Sequence, residues 1–559
     1  MKPATVLPLI ALALSAFAAD PRGDHPDSLP STPQEQLAQF HVPPGFEVQL
    51  VAAEPDIQKP INFNFDAAGR LWVTGSELYP WPAATDANGQ PIPDFDKGWQ
   101  GLIDGFRVGD KAPPPAREGR DTVRVLSDFD STGHARKITI FADRLNIPSG
   151  IQPLPRRERG WIQPQITQMG TDKERTASEA TPSVAPSTTN TTNAATQAPA
   201  AASPPSVSSV SSVVNPSASS AAKGDSAIVY SIPNIWLMTD VDGDGFAEKR
   251  EPLYTGFGYT DTHGGSSSYI YWIDGWIYGT HGFRNHSEVR DRNGHVTVLD
   301  SGNTYRFRPD GTAFEIYTHG QTNPFGLAFD PLGNLYSADS HSKPVYMLLR
   351  GGYYEGIGKQ HDGLGFAPRI TDDDHGSSAI GGIIYYADDK WPEEYRGNLF
   401  NGNPVTQKIN RDKLEWHGST PRAIRQPDFL SCDDPWFRPV FLKLGPDGAL
   451  YIADFYNPII GHYEVPLTHP ARDHTHGRIW RVVYRGGNAS ARAASAAAAP
   501  GGALDPSAVS GDSPETSKRA ATSAETVLKS APNGVAGGSP ATALGSSAPP
   551  GIQYSRASR

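Results

Sequence analysis

The segment Asp447-Gly-Ala-Leu-Tyr-Ile-Ala-Asp454 decides the fold, because the chain repeats its plan. Asp66-Ala-Ala-Gly69-Arg-Leu71-Trp72-Val73, Asp274-Gly275-Trp-Ile-Tyr278 and Asp330-Pro-Leu-Gly333-Asn-Leu335-Tyr336 are three more copies. Each is an Asp/Gly turn followed by an apolar strand start, with Trp or Tyr at the same offset. Recurrence of one turn–strand unit among many short strands predicts a repeat architecture, a β-propeller. The alternating run Phe46–Val51 opens the folded part, and Gly477–Tyr484 reads as its last strand. Propellers often complete one blade from both chain ends, which removes an exposed sheet edge. That pairing is expected here.

Between these strands lies DVDGDGFAEKRE, Asp240 to Glu251. Asp240, Asp242, Asp244, Glu248 and Glu251 fall at positions 1, 3, 5, 9 and 12, with Gly245 at position 6. This is the spacing of an EF-hand-type calcium loop, in which alternate residues of a tight turn aim oxygens at one hard dication. Strand-like flanks argue against a helix–loop–helix. Asp128, Asp130, Thr132 and Gly133 form a second copy that has lost its third carboxylate. In a propeller the two loops would occupy equivalent places in two blades. The Asp372–Asp374 run before His375 reads as a solvated turn, with a second cation or polar site as the alternative, and His469, His474 and His476 as a hydrogen-bonded turn before the last strand, with metal ligation as the alternative.

The chain has 559 residues and a net charge of −11. That balance argues against nucleic acid as a partner and is compatible with cation binding. Cys432 is the single cysteine, so no disulfide framework, Cys-rich zinc site or CxxCH haem attachment is available. Residues 1–19 read as a secretory signal peptide, with Lys2, an apolar run and Ala16-Phe17-Ala18. No other apolar run is long enough to span a bilayer. The mature protein is expected to be exported, periplasmic or extracellular, or peripheral to a membrane. Residues 20–41 read as an extended segment, and 42–155 and 227–485 as two parts of one propeller. The Ser/Thr/Ala/Pro-rich stretch 156–226 reads as a disordered insertion, and 486–559 as a disordered tail.

GFEVQLVAAEP, FADRLNIPSGI, LMTDVDGDGFAEKR, GFGYTDTHG, NPFGLAFD, GSSAIGGIIYY and RDHTHGRIWRVVY resemble the PVC-type membrane-bound dehydrogenase domain, over about Val42–Pro155 and Ala227–Tyr484. The resemblance implies a six-bladed propeller related to soluble quinoprotein glucose dehydrogenases. It implies PQQ as cofactor and a sugar or alcohol as substrate. The HEAT-type repeats and CxxCH haem domain that often follow are not in this sequence. By the same resemblance His263, which precedes Asp274-Gly-Trp-Ile-Tyr278, would be the catalytic base, with Asp261 beside it. Thr322-Asn323-Pro324 resembles a quinone-contacting Arg-Asn-Pro segment, with Thr322 in place of the arginine. His281, Asn323, His341 and His375 would surround the cofactor at one end of the channel. Three function classes stay open: a quinoprotein-type dehydrogenase, a carbohydrate- or protein-binding propeller with structural calcium, and a hydrolytic propeller such as a lactonase.

Overall fold

The structure is a computed structural model, described over residues 24–155, 224–357, 364–377, 379–461 and 465–486. Residues 1–19, read above as a signal peptide, nearly all of 156–226 and the stretch beyond Gly486 lie outside the described residues.

Six antiparallel sheets form the blades of a propeller. Blade 1 holds Pro60–Phe65, Leu71–Gly75, Asp121–Phe129 and Ala135–Leu145; blade 2 holds Gly150–Leu154, Ser226–Ser231, Asn234–Thr239 and Lys249–Tyr254. Blade 3 is Ser267–Tyr271, Ile277–His281, Asn303–Phe307 and Phe314–His319, with a separate hairpin, His286–Arg290 and Val296–Asp300, between its second and third strands. Blade 4 has three strands, Asn323–Phe329, Leu335–Ser340 and Val345–Leu348. Blade 5 comprises Gly381–Tyr385, Asn398–Asn403, Lys408–His417 and Thr420–Arg425, extended by Leu430–Cys432 and Phe40–His41. Blade 6 joins Pro439–Leu444, Leu450–Asp454 and Arg478–Tyr484 to the N-terminal strand Phe46–Ala52. The first strand of each blade touches that of the next, and the ring closes from blade 6 to blade 1.

The repeated turn has one physical cause. All four copies connect the first and second strands of a blade: blades 1, 3, 4 and 6. Each Asp caps its own turn through backbone N–H groups, and its second oxygen accepts from the aromatic residue of the next strand. Trp72 Nε1 donates to Asp66 at 2.9 Å, Tyr278 OH to Asp274 at 2.7 Å, Tyr336 OH to Asp330 at 3.3 Å and Tyr451 OH to Asp447 at 3.2 Å. The two Asp/Gly-rich loops, 130–134 and 240–248, both connect the third strand of a blade to its fourth.

Closure by the chain ends is observed. Phe46 pairs with Tyr484 and Leu50 with Trp480. Phe46 fills the seam between blades 5 and 6, with the rings of Trp391, Tyr395, Phe429 and Tyr484 all at about 5 Å. Two features depart from the sequence reading. The segment before residue 42 is not simply extended. Thr32 and Glu35 form a capping box that starts the helical turn Pro33–Leu37, and buried Gln36 donates to Asp454 Oδ2 at 2.8 Å. The all-β expectation also omits an amphipathic helix, Phe95–Gly105, between the second and third strands of blade 1. It packs Gly98 and Gly101 against Tyr259 and Thr260, beside the segment that leads to His263.

Candidate functional site

One cavity of about 200 Å³ is lined by residues from all six innermost strands or the turns that lead into them. It is a central funnel. The inner strands beside it approach closely. A Cβ on Gly326 would lie 2.7 Å from the Cα of Gly382, and one on Gly382 would lie 2.7 Å from the Cα of Phe441. Both glycines also take positive φ, which suits them alone to this seam.

The wall is two-sided. Ser149, Thr262, His263, Asn323, Ser340 and His341 come from blades 2 to 4. Blades 5, 6 and 1 contribute Ile380, Val405, Val440, Phe455, Ile460 and Ile61, with Tyr79 the one polar-tipped side chain on that side. Tyr79 links the halves: its ring stands 5.5 Å from that of His263 and 5.4 Å, edge-on, from that of Phe455.

His263 sits in a single 3-10 turn, Thr262–Gly264. Asp261 caps that turn, its Oδ1 accepting the His263 N–H at 3.0 Å. Asn285 clamps the same turn, donating to Asp261 O and Gly264 O at 2.8 Å each. Burial pushes the His263 imidazole down to about 3, and the neighbouring His341 and Arg472 charges push the same way. His263 is therefore neutral at physiological pH. Asn323 is oriented as firmly. Its Oδ1 accepts the Phe283 N–H at 3.0 Å, and its own N–H donates to Asp339 at 2.6 Å. No described residue receives its Nδ2 amide, which is left as a donor toward the cavity. His341 is exposed and takes φ +68°, an outlier for a non-glycine residue at the funnel wall.

The other two histidines lie outside the lining. His281 is buried, with Nδ1 2.7 Å from Ser301 O and Nε2 2.7 Å from Ser287 Oγ. His375 is buried in blade 5, with Nε2 2.9 Å from Asp412 Oδ2. It anchors the loop that leads to Ile380 and Gly381 of the wall. Asp261 is buried and is not among the lining residues; it caps the turn that carries His263. Thr322 is fully buried, its N–H donating to Asp339 and its hydroxyl accepting from Ile357 N, and it does not line the funnel. Sequence reasoning missed Tyr79, Ser149, Ser340 and Phe455. Each lies in a loop or at a strand end with no periodic signal, and only blade closure brings them together.

The acidic loop lies on blade 2. Carboxylate oxygens of Asp240, Asp242, Asp244 and Glu248 all fall within 4.8 Å of one another. Glu251 is not among them. It lies in the strand Lys249–Tyr254, with its carboxylate 2.8 Å from Lys249 Nζ. An EF-hand helix would carry position 12 back over the loop; a strand carries it away. The four clustered groups offer only oxygen, the donor set of a hard cation, so they fit calcium. In the second copy, Asp130 is closed on itself by Thr132 and His134.

PQQ does not fit the funnel in the same way. It is a carboxylated quinone, and among the described lining residues there is no Lys, Arg, Asp or Glu. Arg472 stands nearby, but its Nε and Nη2 are held on the carbonyls of Pro466, Gly461 and Val465.

Fold and site together define a six-bladed propeller with a histidine-bearing central funnel. The chain belongs to the family described as Domain of unknown function (DUF7133), which it matches over residues 32–166 and 214–486. No curated protein matches it. Similar solved structures include a glucose dehydrogenase-type oxidoreductase from Thermus thermophilus, at 15% identity and TM-score 0.43, covering 78% of this chain and 100% of that one. The PQQ-bound aldose sugar dehydrogenase of Streptomyces coelicolor is similar at 13% identity and TM-score 0.40, covering 79% and 99%. A gluconolactonase from Xanthomonas campestris aligns at 13% identity and TM-score 0.24, covering 46% and 68%. At these scores no residue role carries over to this chain. No helix among the described residues is long and apolar enough to cross a membrane.

Proposed function

We propose that the protein binds a hydroxylated small molecule, a sugar or alcohol, in the central funnel and that His263 takes a hydroxyl proton from it. The observation that carries this reading is the convergence of His263, Asn323 and His341 on one cavity. A neutral imidazole is a proton acceptor, and the Asn323 Nδ2 amide can hold the ligand oxygen as it loses its proton. His341 stands at the same wall. Asp261 is a positioning residue for His263, and His281 and His375 hold the surrounding turns. Hydroxyl deprotonation is the part of an alcohol oxidation that side chains can perform; the hydride needs a two-electron acceptor that these residues do not provide, so the dehydrogenase class of the PVC-type resemblance is kept with an external acceptor, the dye in the test below. It derives no step through PQQ. The Asp240 loop is proposed to hold calcium as a structural ion of blade 2. The N-terminal signal sequence carries the proposal that the protein is exported.

A recognition propeller without turnover is the second reading. The observation in its favour is Thr322, which is buried where the resemblance calls for a cofactor-holding arginine. The test is dye-linked oxidation of a sugar and alcohol panel, with and without added PQQ, beside binding calorimetry. The dehydrogenase reading expects turnover that His263→Ala removes while ligand binding persists. Binding with no turnover under any condition leaves the recognition reading.

A further inference from the structure

The polar wall of the funnel has a defined hydrogen-bond polarity. Ser149 Oγ donates to Ser266 O at 2.7 Å, Thr262 Oγ1 to Pro80 O at 3.0 Å and Ser340 Oγ to Ile380 O at 2.9 Å. Each hydroxyl has one proton, so toward the cavity these three oxygens are acceptors. The Asn323 amide is a lining donor fixed by its surroundings, because its Oδ1 already accepts the Phe283 N–H. Among the described lining residues no side chain carries a permanent charge. The opposite wall is apolar, with the rings of Phe455 and Tyr79 set edge to face.

A carboxylate is acceptor-only and charged. Seated here, it would meet acceptor oxygens on one side and hydrocarbon on the other; the Asn323 amide and the histidines of the same wall could pair with it in part, but no Lys or Arg among the described lining residues balances its charge, so its desolvation would be only partly compensated. A hydroxyl group donates and pairs with the same oxygens. A ring with an apolar face and a hydroxyl edge satisfies both walls at once.

We infer that this funnel takes an uncharged ring with hydroxyl donors along one edge, and that it rejects carboxylated quinones of the PQQ type. The inference rests on the proposed reading of the funnel as the ligand site. It concerns which charge and donor pattern the site accepts, independently of whether His263 takes a proton. The donor edge lies toward Ser149, Thr262 and Ser340, and the apolar face toward Tyr79 and Phe455.

The experiment is calorimetric titration of the full chain, loaded with calcium, with three probes: methyl glucoside, sodium glucuronate and PQQ. The two sugars share a pyranose ring; glucuronate differs in its carboxylate and in its free anomeric hydroxyl, so glucose is titrated beside them as the matched neutral sugar. The expected result is saturable binding of methyl glucoside, with glucuronate weaker by about 30-fold or more, the order expected for an unpaired buried charge. PQQ should give no saturable heat. Ser340→Ala removes one acceptor and should weaken methyl glucoside by about 5- to 10-fold, with an unchanged melting temperature as the control for folding. Equal or tighter binding of glucuronate, saturable PQQ binding, or no binding of either sugar overturns the inference. None of these readouts involves turnover. Loss of activity on His263 substitution, or its persistence, therefore tests the proton-transfer reading separately.

Discussion

Removing calcium should destabilise the propeller through the loop between the third and fourth strands of blade 2. Four carboxylates with ligand oxygens within 4.8 Å of one another make six repelling pairs. At that separation each pair costs about 0.9 kcal/mol in a water-like dielectric, or roughly 5 kcal/mol in all. The high dielectric is appropriate because Asp242, Asp244 and Glu248 are exposed, and salt lowers the figure further. Backbone N–H groups offset part of it: Asp240 accepts from Gly243 and Gly245, and Glu248 from Val241. A dication at the centre removes the rest. Calcium at about 100 times its dissociation constant stabilises the fold by about 2.7 kcal/mol. For a domain of this size that corresponds to a rise in Tm of about 3–5 °C. The assay is calorimetric melting in millimolar calcium against EGTA. Asp242→Ala, at an exposed position, should abolish the shift and, because it removes three of the six repelling pairs, should raise the melting temperature in EGTA above that of the wild type in EGTA. Superimposable curves for the wild type in calcium and EGTA would refute the calcium assignment. So would a variant that keeps the full shift.

Other outcomes follow from closure, from the funnel wall and from titration. Phe46→Ala removes a ring enclosed by four aromatic neighbours and should cost about 3–5 kcal/mol in urea unfolding; a loss below about 1 kcal/mol would mean that the N-terminal strand does not secure the ring. Asp121 is buried and accepts from Ser76 Oγ, Leu78 N and Ile147 N, so it sets both Tyr79 and Ile147 of the wall. Asp121→Ala strands those donors and should cost about 2–4 kcal/mol while weakening ligand binding; unchanged binding in a folded variant would separate Asp121 from the funnel. His263 has a folded-state value near 3 against an ordinary 6.5, so the unfolded chain binds its proton first as pH falls. The stability it supports is complete above 6.5 and is lost toward pH 3. Asp121 and Asp339, raised by burial to about 7, act with the opposite sign. The test is therefore a difference. Wild-type stability minus that of His263→Gln should fall by about 1 kcal/mol per pH unit from 6.5 to 4, or somewhat less because the ring is partly open to the funnel. A pH-independent difference would show that the imidazole is not held neutral.

The fold class was legible in the sequence because its signal is local and repeated. Each Asp/Gly turn closes on itself and reaches the aromatic residue that follows, so the unit needs no distant partner and keeps its spelling in four blades. The acidic loop was legible for the same reason, up to position 9. Glu251 failed because its direction depends on the strand that follows rather than on spacing within the loop. The helix Phe95–Gly105 and the capped turn at Pro33 were missed beside the stronger strand pattern around them.

The site was legible only in part. His263 and Asn323 carried recognisable surroundings, and the ring brings both to the funnel. His281 and His375 looked equivalent to them in sequence, yet each turns into its own blade and is held there by Ser287 and Asp412. Strand and turn chemistry, with blade closure by the two chain ends, was set by the order of residues. Which histidines meet, and which wall faces them, was decided by six strands converging on one axis. Residues as far apart as Tyr79, Asn323 and Phe455 share that funnel, and no local spacing encodes their approach. The polarity of the wall was decided one step later, by backbone carbonyls that occupy the protons of Ser149, Thr262 and Ser340 only once the chain has folded.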